Sequence, residues 1–222
     1  MKNQNMTAHR QPDWLAVVLA WSCIAALVIT YQAIPGLADW GRFRRNTFLQ
    51  GAWWQLMTAP WIHLSWAHAV LNLIMTALLM TLFAKQVRPW QQLLIVMLCG
   101  IALLPMLAYA FPEVQWYVGL SGSLHGLATY GALTLLGSGQ PFVHKRTRLS
   151  ENDVGVIAML WIGIKLALEH AWSTPIIWRH NMPIATAAHL TGALAGLCFW
   201  FIRLGTTYVY KLSTSKNTLL DQ

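Results

Sequence analysis

Charge is what this sequence lacks. Only 10% of its 222 residues are Asp, Glu, Lys or Arg, against about a quarter in an ordinary soluble domain. With 56% hydrophobic residues and a mean hydropathy of +0.46, the chain cannot coat a water-soluble globule with polar surface. Acids are scarcest. Asp13, Asp39, Glu113, Glu151, Asp153 and Asp221 fall in loops, flanks or the tail, and only Glu169 stands inside an apolar run. Cysteine is nearly as sparse. Cys23, Cys99 and Cys198 cannot all pair internally and have no metal-ligand spacing, so they read as small apolar packing residues. No HExxH motif is present, which argues against a zinc site. Repeats and low-complexity segments are absent too.

What the chain has instead is long apolar runs. Six charge-poor stretches read as membrane spans: 14–34, about 61–84, 90–111, about 117–137, 154–172 and 183–204. The expected fold is all-α, a polytopic membrane protein of six transmembrane helices. The first run is too long and too thinly basic on its flank for a cleavable signal peptide, so it is read as a retained span. Residues 1–13 form an N-terminal segment, 14–204 the membrane domain and 205–222 a polar tail. Residues 35–60, rich in Trp and Arg, form a long loop expected at the interface, where Trp is favoured.

The formal charge of +8 is a topology signal rather than a nucleic-acid footprint. With the N-terminus inside, ten basic residues lie on the inner side: Lys2, Arg10, Lys85, Arg88, Lys145, Arg146, Arg148, Arg203, Lys211 and Lys216. Four lie outside: Arg42, Arg44, Arg45 and Arg179. That bias satisfies the positive-inside rule.

Topology then gathers scattered polar residues. Spans two, four and six all start at the outer face. They carry His63, His68 and Asn72; Ser121, Ser123 and His125; and His189. Span five ends there with Glu169 and His170. The common depth is about five residues, or about 8 Å, below the interface. Intramembrane polar groups are costly, so such a cluster is a functional hypothesis.

Ser121 lies between Gly119 and Gly122 in GLSG. A serine at a helix start has unpaired backbone amides beside it, which suit an oxyanion; a capping serine on a small-residue face is the alternative. His189 flanks the close-packing face Ala188, Gly192, Gly196 and could serve Ser121 as a base. His68 and Asn72, four apart, share one helical face and could donate to an oxyanion, or simply to another helix. His125, on the Ser121 face, is read as a wall packing on His189 or substrate. His63 is read as a wet histidine near the interface. Lys165 and Glu169, also four apart, read as a structural ion pair that neutralises a buried lysine. Glu169 could orient a histidine, but nothing in the sequence establishes a third member of a triad.

Together these motifs resemble the rhomboid family of intramembrane serine proteases. HAVLN (68–72), GLSG (119–122) and AHLTG (188–192) match, in order and spacing, the family's HxxxN, GxSG and AHxxG over about residues 50–204. The resemblance implies a six-helix bundle around a water-filled cavity. It implies Ser121 as nucleophile, His189 as general base, an oxyanion hole of His68, Asn72 and the Ser121 amide, and no cofactor or metal. Many members carry tyrosine where His125 stands. That substitution, with SGSLHG and the KLALEH end of span five, is similar to the rhombosortase branch. The branch implies a bacterial cytoplasmic membrane with both termini cytoplasmic and the site open to the periplasm. Its substrates would be exported proteins with a C-terminal sorting tail of a Gly-Gly-containing segment, a transmembrane helix and a basic end. The rivals are a non-catalytic rhomboid-like protein that binds membrane helices, and a membrane electron carrier with haem held by His68, His125, His170 or His189. No nucleic-acid partner is expected.

Overall fold

Asp13 opens the first helix: its carboxylate accepts the Ala16 amide at 3.0 Å, satisfying one of the first-turn donors that a helix leaves unpaired. The computed structural model describes residues 11–136, 149–172 and 183–220. Lys2, Arg10, Lys145, Arg146, Arg148 and Arg179, used in the charge argument, and Asp221 lie outside them.

The long helices are α1 (Trp14–Ala33), α5 (Trp66–Leu82), α6 (Pro89–Ala110), α7 (Ser121–Leu135), α8 (Glu151–Trp172) and α9 (Pro183–Leu220). Among the described residues four are long and apolar enough to cross a membrane: α1, α6, α8 and the part of α9 from Thr186 to Tyr208. A fifth is added if Gln55–Trp61 and Trp66–Leu82, bent by 96°, count as one span. The chain is thus a mostly helical, multi-pass membrane protein.

Its six long helices follow the six apolar runs, with three differences. The segment 35–60 is more than a loop: it folds into α2 (Leu37–Gly41), β1 (Phe43–Arg44), α3 (Arg45–Leu49), α4 (Gln55–Thr58) and a 3₁₀ turn, Ala59–Trp61. Strand β1 pairs antiparallel with β2 (Trp116–Tyr117), Phe43 opposite Tyr117. The second long helix starts at Trp66, later than the apolar run, because Ser65 caps it by accepting the His68 amide at 3.2 Å. Helix α9 does not stop at Leu204 but continues to Leu220. No proline follows to break it, and the Thr206 and Thr207 hydroxyls donate to the Arg203 carbonyl at 2.9 and 2.8 Å.

Helix α7 is the axis of the bundle. It packs against α5, α6, α8 and, most extensively, α9, and eleven of its fifteen residues are buried. Surrounded by protein, it can be shorter than a lipid-facing span.

Small residues set its contact with α9. A Cβ added at Gly192 or Gly196 would strike the carbonyl of Gly122 or Gly126, and one added at Gly122 would lie 2.9 Å from the Ala188 carbonyl. Both helices thus present glycines four residues apart, and their backbones touch. In lipid there is no hydrophobic drive between helices, so such close packing supplies the association. At the far end the Arg203 guanidinium sits over the Tyr130 ring, 5.7 Å from its centroid. Of the three cysteines read as packing residues, only Cys99 is buried; Cys23 and Cys198 are exposed.

Candidate active site

The turn before α7 is fixed by backbone geometry that suits glycine. Gly119 has φ +122°, a conformation that side-chain-bearing residues rarely adopt. A Cβ there would also lie 3.1 Å from Cε1 of His68. Its amide donates to the Ala59 carbonyl at 3.2 Å. The buried Tyr117 hydroxyl donates to the Gly119 carbonyl at 2.6 Å and accepts the Gly122 amide at 3.3 Å. Ser121 is therefore delivered at the first position of α7 by a braced turn. Its own amide makes no hydrogen bond among the described residues.

The close approach of α7 and α9 brings Ser121 and His189 together. Ser121 Oγ lies 3.0 Å from His189 Nε2, and His189 is 7% exposed. On the other edge of the ring, Nδ1 lies 2.8 Å from Glu169 Oε2 and 3.4 Å from Lys165 Nζ. One Nδ1 cannot donate to a carboxylate and accept from an ammonium at once. The shorter contact and the attraction of opposite charges favour donation to Glu169. That tautomer turns the Nε2 lone pair toward Ser121 Oγ, so the hydroxyl donates and the imidazole accepts.

His125 stacks on His189, with ring centroids 4.1 Å apart and planes 19° from parallel. Its Nδ1–H donates to the Ser121 carbonyl at 2.7 Å. The stack leaves no room for an iron between those two rings, which weakens the haem reading. His170, another histidine of that reading, is exposed.

His68 lies against Gly119, with its buried Nδ1 unpartnered. Asn72 is buried, and its amide donates to the His68 carbonyl one turn back, at 3.1 Å. An amide nitrogen carries two hydrogens, so a second donor remains. No hydrogen bond joins either side chain to Ser121 among the described residues. Ser123 is fully buried with its hydroxyl unpartnered and takes no part in the Ser121–His189 contact.

One residue departs from its sequence reading and another does more than its spacing required. His63, expected to be wet, is 4% exposed. The bend before α5 turns it inward, where Nδ1–H donates to the Trp61 carbonyl at 3.1 Å and Nε2 accepts the Leu120 amide at 3.5 Å. It also meets the His68 ring edge-on, centroids 4.9 Å apart. Glu169 does form the expected ion pair, Oε1 lying 2.5 Å from Lys165 Nζ. Its second oxygen goes to His189. The i, i+4 spacing announced only the first contact; the second needed the placement of α8 against α9.

Compared with known families, residues 50–206 match the model described as the rhomboid domain, a domain that is typically an intramembrane serine protease. No curated protein matches the chain.

Proposed function

The chain belongs to the rhomboid family, and from that premise we propose that it is an intramembrane serine endopeptidase acting through Ser121 and His189. The observation that carries this reading is the 3.0 Å contact between Ser121 Oγ and His189 Nε2, made by side chains from two different helices. A non-catalytic helix-binding protein would have no use for it.

In the proposed reaction His189 Nε2 takes the Ser121 proton while Oγ attacks the scissile carbonyl carbon. The carbonyl opens to an oxyanion, held by the free Ser121 amide, His68 and the second Asn72 hydrogen. Collapse breaks the C–N bond, and the His189 imidazolium protonates the leaving amine. Water, or another nucleophile that gives its proton to His189, then releases the acyl group from Oγ.

The depth of the site suits this chemistry. A fifteen-residue helix is about 22 Å long, about 8 Å short of the hydrocarbon thickness. With its far end at one boundary, α7 places Ser121 just under the other, where water can reach. The charge bias favours that boundary as the outer side, and the rhombosortase-like reading makes it the periplasmic side of a bacterial inner membrane. A helical substrate hides its carbonyls in hydrogen bonds, so the segment cleaved must unwind. Glycine eases unwinding by about 1 kcal/mol per residue relative to alanine. With His125 stacked on the base and the KLALEH ending of α8, this supports a rhombosortase-like substrate: an exported protein ending in a Gly-Gly segment, a transmembrane helix and a basic end.

The test is co-expression with candidate tail-bearing proteins and mass spectrometry of the new C-terminus. Cleavage is expected with the native chain and lost with Ser121→Ala or His189→Ala. Undiminished cleavage by either variant removes the assignment.

A further inference from the structure

The carboxylate of Glu169 makes two contacts where neutralising Lys165 would need one. It is 1% exposed; Oε1 lies 2.5 Å from Lys165 Nζ and Oε2 lies 2.8 Å from His189 Nδ1. Burying a charge is costly unless it is paired and hydrogen-bonded. Lys165, whose side chain is 13% exposed, supplies the counter-charge from the preceding turn of α8. It leaves Oε2 free to serve a different helix.

We infer that Glu169 is a positioning residue that acts through His189, so that three helices, α7, α8 and α9, contribute Ser121, Glu169 and His189 to one hydrogen-bonded chain. This rests on the reading of Ser121 and His189 as nucleophile and base. A neutral imidazole carries one hydrogen, and only when it sits on Nδ1 does a lone pair face Ser121. Glu169 Oε2 fixes it there and sets the ring plane. The stack with His125 holds the ring face but places no acceptor at Nδ1, so it cannot choose the tautomer. When the base takes the serine proton, the imidazolium gains a carboxylate partner at 2.8 Å without any rearrangement.

The alternative is that Glu169 only neutralises Lys165, and two variants separate the roles. Glu169→Gln keeps the shape but offers His189 an amide that can donate to Nδ1 and so stabilise the wrong tautomer. The double variant Lys165→Met, Glu169→Gln removes both charges and with them any unpaired buried lysine. Each is purified and checked by thermal unfolding. The rate of Ser121 labelling by a fluorophosphonate is then measured, with kcat and KM on a transmembrane substrate.

We expect kcat and labelling to fall by about 10⁴-fold in both variants, the scale of losing a histidine's orienting carboxylate, with KM unchanged. A Glu169→Gln protein that melts normally and labels within about threefold of the native rate overturns the proposal. So does recovery of native kcat in the double variant, which would leave Glu169 a counter-ion only. If Ser121→Ala or His189→Ala protein still cleaves, the nucleophile–base reading itself fails. That outcome is distinct from a loss confined to Glu169.

Discussion

Replacing Gly192 by alanine tests the physical basis of the site without touching a reacting group. Its added methyl would fall on the Gly122 carbonyl, backbone on which no side-chain rotation can relieve the clash. An ordinary carbon–oxygen contact is about 3.3 Å or more, so α7 and α9 must part by roughly 1 Å. The Ser121–His189 distance, now 3.0 Å, would rise toward 4 Å, beyond the roughly 3.2 Å reach of a proton-transfer hydrogen bond. A displacement of about 1 Å costs about 100-fold in rate, and overpacking costs about 1–3 kcal/mol of stability. The sign is diagnostic, because alanine in place of glycine inside a helix ordinarily stabilises by about 1 kcal/mol. Gly205 and Gly163, also helical but with nothing within 4 Å of an added Cβ, are the controls. The assay is fluorophosphonate labelling of Ser121 alongside thermal unfolding in detergent. Should Gly192→Ala label as fast as Gly205→Ala, the close approach of the two helices does not set the site.

Tyr117→Phe removes the hydroxyl that braces Gly119 and Gly122. It should cost about 1–3 kcal/mol, the penalty for unsatisfied buried groups, read as a lowered melting temperature together with slower labelling. His68→Ala and Asn72→Ala should each reduce kcat about 10²- to 10³-fold, the range for loss of one oxyanion donor, while binding of an uncleavable substrate stays unchanged. Full activity in both would mean that the Ser121 amide holds the oxyanion without them.

The meeting of Ser121 and His189 was legible because polar residues stand out in apolar runs and because alternate spans start on one side. The α9 face of Ala188, Gly192 and Gly196 was legible from its small-residue spacing; that Gly126 of α7 would meet it was not. What escaped was whatever depends on a neighbour distant in sequence. Strand β1 is two residues long and pairs with residues more than seventy positions on, beyond the reach of any local periodicity. His63 is buried because the chain bends before α5, not because of its own neighbours. Glu169 was half legible: its pairing with Lys165 accounted for one oxygen, and a contact of the other with a histidine could be named but not located from spacing alone. Helix α9 ran past its apolar end because polarity marks where lipid stops, not where a helix must.

The backbone interlock of α7 with α9 carries a mechanical consequence. Two helices seated glycine against glycine travel as one body, so admitting a guest strand between the bilayer and Ser121 falls to their neighbours. Swinging α8 aside would pull Glu169 off the His189 imidazole and, on the proposed mechanism, disarm the base at the moment of arrival. Displacing α5 would move His68 and Asn72, while the hydrogen-bonded chain from Ser121 through His189 to Glu169 contains no α5 residue.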